Sequence, residues 1–282
     1  AIGIGTLTWG RDTDGPEALD MLHRFVDAGG NLVECSASHG DGMAVDILSE
    51  AISAVGRHRV AVAWRGGVRR ASEGAWVSAA GRGDLLRSLD DALARLDTDY
   101  VDVWMVEPRP EVPLEETLEA ATAAYRSGRA HYVGLSRATH WQLAEAVTRG
   151  VLGAGAPISV VEFPFSLADT SRAATVDELS EHGVGVIAAS ALAGGTLTGK
   201  YRHSTPADSR AASPHLRHLV EGHLTGSARG VIEAATRAGT GLERSTGDVA
   251  LAWVRDYPGV TSALVGPRTL RQLETLLGYT EP

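Results

Sequence analysis

The chain has 282 residues, 44% hydrophobic and 22% charged, with a net charge of −9. That length supports one large core, and the acidic balance excludes nucleic acid as a main partner, because phosphate binding needs a basic surface. The single cysteine, Cys35, excludes an internal disulfide framework and a four-cysteine zinc site. No apolar run approaches the roughly 20 residues of a membrane span, and no signal-peptide pattern is visible. The expected setting is the cytoplasm, with a small molecule as the partner and no membrane contact.

Short β-rich runs alternate with longer helical stretches. The expected strands are Ile2–Thr6, Asn31–Ser36, Arg59–Arg65, Tyr100–Glu107, His131–Ser136, Ile158–Phe163, Gly185–Ser190 and Thr261–Gly266. Between them, apolar residues fall at helical spacing, as in Glu17–Ala28, Leu85–Leu96, Leu114–Ser127, Trp141–Arg149 and Gly247–Asp256. Eight strands alternating with helices predict a single (β/α)8 TIM barrel domain over residues 1–282. A doubly wound sheet is the alternative, weakened because no G-x-G-x-x-G opens a helix after the first strand. Tyr201–Gly226 is rich in Ser, Pro, His and Arg and lacks periodicity. In a barrel it is the long loop after the seventh strand, on the face where active sites form.

Six motifs then follow in order: GIGTLTWG, DAGGNLVECSASHGDG, LDTDYVDVWMVEP, SGRAHYVGLSR, ASALAGGTLTGKY and VGPRTLRQLE. On these the chain resembles the aldo-keto reductases over about residues 1 to 277. The resemblance implies a catalytic Asp-Tyr-Lys-His tetrad, but the matching positions carry Glu34, His39, Arg65 and Glu107. Glu34 and Arg65 can still pair. Arginine lends charge but not a proton, whereas His39 has an ordinary pKa of about 6.5 and can serve as acid or base. Glu107 either holds an imidazolium or acts as a carboxyl acid–base. A Glu-His-Glu metal site is disfavoured by the positive charge of Arg65, so no metal is expected.

The resemblance also implies a cofactor pocket. Ser136 is kept from the pair that contacts the nicotinamide carboxamide, but Arg137 replaces its asparagine, Glu162 replaces a glutamine and Phe165 replaces the ring-stacking tyrosine. An Arg137–Glu162 pair across the carboxamide space predicts a blocked nicotinamide site. Ser190, Leu192 and Gly194 remain on the pyrophosphate side. Gly266, Arg268, Thr269 and Gln272 remain at the adenosine end, where Arg268 suits a 2′-phosphate. Their persistence is explained equally by barrel shape and by NADP(H) binding. Trp9 and Trp64 are expected to line the substrate pocket, with His218 and His223 touching a substrate from the loop. Trp104, Trp141 and Cys35 are expected in the core.

Four ionisable replacements are costly to bury without purpose. The favoured expectation is cofactor-independent acid–base chemistry on a small molecule (dehydration, isomerisation, epimerisation or cyclisation), in natural-product biosynthesis. His39 and Glu107 move protons in that reading, and the Glu34–Arg65 pair orients them. Two alternatives stand beside it: an NADPH-dependent carbonyl reductase with His39 as proton donor, and a non-catalytic binding or regulatory protein.

Overall fold

A computed structural model describes residues 1–207, 209–224 and 226–279. Of the expected loop, Asp208 and Thr225 lie outside the described residues. Eight parallel strands close a barrel: β1 (Ile2–Gly5), β2 (Leu32–Ser36), β3 (Ala61–Arg65), β6 (Val101–Val106), β7 (Ala130–Ser136), β8 (Ile158–Pro164), β9 (Gly185–Ala189) and β10 (Val260–Val265). Between β3 and β6 a small antiparallel hairpin forms from β4 (Val68–Arg70) and β5 (Trp76–Ser78). Every expected strand overlaps an observed one. The hairpin strands, three residues each, are too short to carry an alternation signal.

Helices lie between the strands: α1 (Gly15–Asp27), α2 (Ala44–Val55), α3 (Arg82–Leu96), α4 (Leu114–Arg126), α5 (His140–Val151), α6 (Ala173–Glu181), α7 (His218–Glu221), α8 (Gly226–Leu242) and α9 (Thr246–Arg255), with α10 (Leu270–Gly278) after the last strand. The starts of α1, α5, α9 and α10 are set by capping side chains. Asp14 accepts the Glu17 amide at 2.9 Å ahead of α1, Thr139 and Gln142 form a reciprocal box at α5, and Ser245 and Thr269 cap α9 and α10.

Strand alternation divides the core in two. Val33, Cys35, Val62 and Trp64 face outward and pack with the helices in the large cluster. Ala63, Met105, Val160 and Ile187 form a small separate cluster inside the barrel. This parity corrects the pocket assignments of Trp9 and Trp64, each 1% exposed and part of the helix-side core. Trp64 precedes Arg65 on β3, so with Arg65 turned inward Trp64 must point out. Trp9 lies beneath the turn after β2, where a Cβ on Gly40 would come within 1.7 Å of the Trp9 carbonyl oxygen. Trp141 is 77% exposed in the first turn of α5 and is not core. Cys35 is fully buried, and burial pushes its thiol up to about 12, which removes it as a nucleophile.

The segment after β9 is partly packed. Ala211, Leu216 and Val220 are buried, and short helical turns occur at Arg210–Ala212 and His218–Glu221. No helix among the described residues is long and apolar enough to cross a membrane.

Candidate active site

The carboxyl ends of the parallel strands open into one cavity of about 780 Å³. Glu34, His39, Arg65 and Glu107 all line it. Glu34 is on β2 and Arg65 ends β3, while Glu107 directly follows β6. His39 comes from the turn after β2, whose next residues are left-handed: φ is 57° at Gly40, 58° at Asp41 and 95° at Gly42. That shape is costly at Asp41. It is held by Trp76 Nε1 and Arg70 Nη2, which donate to Asp41 Oδ1 at 2.8 and 2.6 Å. These donors keep the exposed Asp41 carboxyl below the usual carboxylate range. The hairpin therefore braces the turn that presents His39.

His39 is 2% exposed and held at both ring nitrogens. Its Nε2 lies 2.9 Å from Arg65 Nη2 and its Nδ1 lies 3.1 Å from Thr6 Oγ1. A guanidinium only donates, so Nε2 accepts, and the ring proton sits on Nδ1 and is donated to Thr6. Burial, with the charges of Arg65 and Arg137, holds the His39 pKa well below its ordinary value. His39 is a neutral imidazole at neutral pH.

Glu34 Oε1 lies 3.3 Å from Arg65 Nε and 3.9 Å from His39 Nε2. The Glu34–Arg65 contact is charge pairing rather than an aligned hydrogen bond, since Arg65 Nε has no hydrogen-bond partner. Burial raises the Glu34 pKa against the pull of Arg65 and Arg137. Burial also raises Glu162. Burial works against the charge on Arg65, but Glu34, Glu162 and Glu107 together outweigh it and hold the guanidinium charged. Burial outweighs the pull of the shared Arg65 guanidinium on both groups, so Glu34 and Glu162 take up protons more readily than in water. Glu107 is also paired outward, its Oε1 3.2 Å from Arg109 Nη2.

The expected Arg137–Glu162 pair does not form. Ser136 Oγ donates to Glu162 Oε2 at 2.6 Å, and the Arg137 backbone N–H donates to the Glu162 carbonyl at 2.8 Å. Arg137 turns the chain at φ 52° after β7, so its backbone rather than its guanidinium reaches β8, and the side chain stays exposed. Phe165 is corrected as well. It lies an odd number of positions from the inward Glu162 and is fully buried on the outer face, 5.4 Å from Trp253 and 5.0 Å from Tyr257 between ring centroids. Ala189 lines the cavity instead.

Ser190, Leu192, Gly194, Gly266, Arg268 and Gln272 line the same cavity, as does His218. Thr269 does not line it, because its hydroxyl is used in capping α10. Nor does His223, which lies beyond the turn that carries His218. Among the cavity residues to which sequence reasoning gave no site role, three stand out. Lys200, the only lysine, lies beside the Gly194–Gly195 turn, where a Cβ on Gly195 would sit 3.0 Å from its Nζ. His215 Nε2 lies 2.9 Å from Asp12 Oδ2, tying the long segment to the loop after β1. Arg210 donates to the Gly266 carbonyl at 2.8 Å, and a Cβ on Gly266 would come within 2.6 Å of the same guanidinium nitrogen. Burial and the neighbouring Arg268 lower the Arg210 pKa, against the pull of Asp12, whose Oδ1 lies 3.5 Å from Arg268 Nη2. The solitary lysine beside a Gly-Gly pair was a usable signal, as was the run of histidines in the long loop to which His215 belongs; Arg210, in an aperiodic stretch, offered none.

A family model described as "Aldo/keto reductase family" matches residues 1–281. The aldo-keto reductase YhdN of Bacillus subtilis is 26% identical over 286 aligned positions, covering 98% of this chain and 82% of that protein. The L-glyceraldehyde 3-phosphate reductase of Escherichia coli is 33% identical over 210, covering 71% of this chain and 59% of that one. Among solved structures, the holo form of the aldo-keto reductase AKR11C1 from Bacillus halodurans superposes with a TM-score of 0.81 at 20% identity, over all of this chain and 86% of its own. These findings overturn two expectations. Cofactor-independent lyase or isomerase chemistry gives way to redox chemistry, since the two relatives just named are reductases. The expectation of no cofactor falls with it. A reductase needs an electron donor, and with one buried cysteine this chain holds no redox pair of its own. With all but its last residue matched by the family model, the chain belongs to the aldo/keto reductase family.

Proposed function

We propose that the protein is an NADP(H)-dependent oxidoreductase interconverting a carbonyl and an alcohol on a small molecule, with Glu34, His39, Arg65 and Glu107 standing where the family's Asp, Tyr, Lys and His act. The observation that carries this reading is one cavity with two chemically different ends. Arg210, Arg268 and Lys200 line one end beside the Gly194–Gly195 turn; His39, Arg65 and buried carboxyl groups form the floor.

The residues fit the cofactor. The cavity's size lies within the roughly 300–1,000 Å³ of small-molecule and cofactor sites. Gly194 and Gly195, at φ 67° and 95°, make a tight turn against which Lys200 lies, and Lys200 lines the cavity as a cation suited to phosphate oxygens. Arg210 and Arg268 suit a 2′-phosphate. At the floor, the Arg137 guanidinium can donate to the carboxamide oxygen and Glu162 can accept from its NH₂. The replacements thus keep the donor–acceptor polarity of the amides they stand for, and with no Arg137–Glu162 pair the space is open.

Bound NADPH supplies the hydride. The chain's own residues manage the oxygen and the proton. Arg65 Nη2–H, now donated to His39, can also meet a substrate oxygen and stabilise negative charge developing on it. Glu34 keeps that guanidinium in place. His39 is the proton carrier: its imidazolium gives a proton from Nε2 to the alkoxide, and its neutral ring takes one from an alcohol. Thr6 fixes the ring orientation at Nδ1 in both directions.

Titration with NADPH and NADP⁺ followed by turnover of an aldehyde and ketone panel tests the reading. Binding of the cofactor together with cofactor-dependent turnover is expected; no binding at millimolar-range concentration overturns it. Replacing Arg210 or Arg268 by Met should weaken NADPH by roughly 10- to 100-fold, the worth of a charge-assisted contact, while changing NADH far less. Equal losses for both cofactors would remove the 2′-phosphate assignment.

A further inference from the structure

Resting on that reading, we infer that Glu162 sets the preference of the site between the two oxidation states of the cofactor, favouring the oxidised, cationic nicotinamide ring over the neutral reduced one. The phosphate groups of a dinucleotide belong at the Arg210–Arg268–Lys200 end. The far end of the same cavity, where the ring must then lie, is lined by the carboxyl groups of Glu34, Glu107 and Glu162.

These three groups differ in their partners. Glu34 is paired with Arg65 and Glu107 with Arg109. Glu162 has no ion-pair partner among the described residues. Its Oε2 receives the Ser136 hydroxyl at 2.6 Å, a neutral donor that supports the ionised form without cancelling its charge. Glu162 is 3% exposed, so little water screens its field. Arg65 and Arg137 act on it at longer range. A neutral amide at this position would read a carboxamide equally well, so the carboxylate adds charge to recognition. The ring of NADP⁺ is a cation and that of NADPH is not. Only the former gains from this charge.

The test measures dissociation constants for NADP⁺ and NADPH on the wild type and on Glu162→Gln, by calorimetry or tryptophan fluorescence. Glu162→Gln is expected to weaken NADP⁺ about tenfold relative to NADPH, the effect of one charge interaction of ordinary size. A second measurement needs no variant. In the wild type, the preference for NADP⁺ should grow as pH rises and Glu162 ionises. The 2′-phosphate titrates in both cofactor forms and cancels from the ratio. Arg65 and Arg137 stay charged, and Glu34, Glu107 and His39 are kept in Glu162→Gln, so the difference between the two pH profiles reports the charge of Glu162 together with its interaction with Glu34. An unchanged ratio in the variant together with identical pH profiles overturns the inference and leaves the cofactor assignment standing. Failure of the wild type to bind either form overturns the cofactor assignment and this inference with it.

Discussion

Replacing Arg65 by Met is expected to lower the unfolding free energy by about 3–5 kcal/mol near neutral pH, the usual result of stripping the counter-ion from a buried charge. Arg65 is the nearest cation to Glu34, and its field also reaches Glu162 and Glu107. Glu34 and Glu162 are 4% and 3% exposed, so neither can recover hydration when the guanidinium is gone. The pH dependence has a definite sign. Both carboxyls already have folded-state pKa values above the ordinary 4.5, because burial opposes their ionisation. Such a group contributes stability that is fully present below the unfolded pKa and is lost as pH rises through the folded one. Without Arg65 the folded values climb further. The deficit of Arg65→Met should therefore be small near about pH 4, where protonated carboxyls need no counter-ion, and largest at neutral and alkaline pH. Adding Glu34→Gln should restore part of the loss, since it removes the closest orphaned charge. Urea unfolding of the single and double variants across pH measures this. A deficit under about 1 kcal/mol, or one constant with pH, would mean that Arg65 is not the counter-ion of this cluster.

Much of this site was legible in the sequence, and the errors have identifiable physical causes. Glu34, Arg65 and Glu107 stand on or directly after barrel strands, and motif order put them at one end of the barrel, where the structure has them. Trp64 and Phe165 failed for one shared reason. A strand sends successive side chains to opposite faces, and once Arg65 and Glu162 were placed inward, residues an odd number of positions away had to face the helices. Arg210 was invisible because it comes from a segment with no period, and only contact with Gly266 gives it a place; His215 stood out as one of the loop's histidines, but only its contact with Asp12 places it. The chemical misreading was different in kind. Charge changes at Arg137 and Glu162 suggested an abandoned cofactor site, but hydrogen-bond polarity survives such changes: a guanidinium still donates where an amide NH₂ did, and a carboxylate still accepts where an amide oxygen did. The predicted pair between them failed because the turn at Arg137 brings its backbone, not its side chain, to β8.

Replacing His39 by Phe should lower kcat by about 10²- to 10⁴-fold in both directions, the range for a positioned general acid–base, with cofactor affinity nearly unchanged. The pH profile separates this role from mere packing. Burial and the charges of Arg65 and Arg137 hold the His39 pKa well below its ordinary 6.5, so the imidazolium is scarce at neutral pH and strongly acidic when formed. Carbonyl reduction needs the proton on Nε2, so its rate should climb as pH falls through neutrality toward that lowered pKa. Alcohol oxidation needs the Nε2 lone pair. Its rate should stay level through neutral pH and fall only at lower pH, once the ring is protonated. The 2.9 Å contact from Arg65 is compatible with both, because protonating Nε2 makes the two groups repel and frees the guanidinium for the substrate oxygen. His39→Phe should flatten both profiles as well as lower them. If the variant keeps its rate within about threefold, or keeps the wild-type pH dependence at lower rate, the proton comes from elsewhere. The carboxyl of Glu34, 3.9 Å from His39 Nε2, would then be the group to replace next.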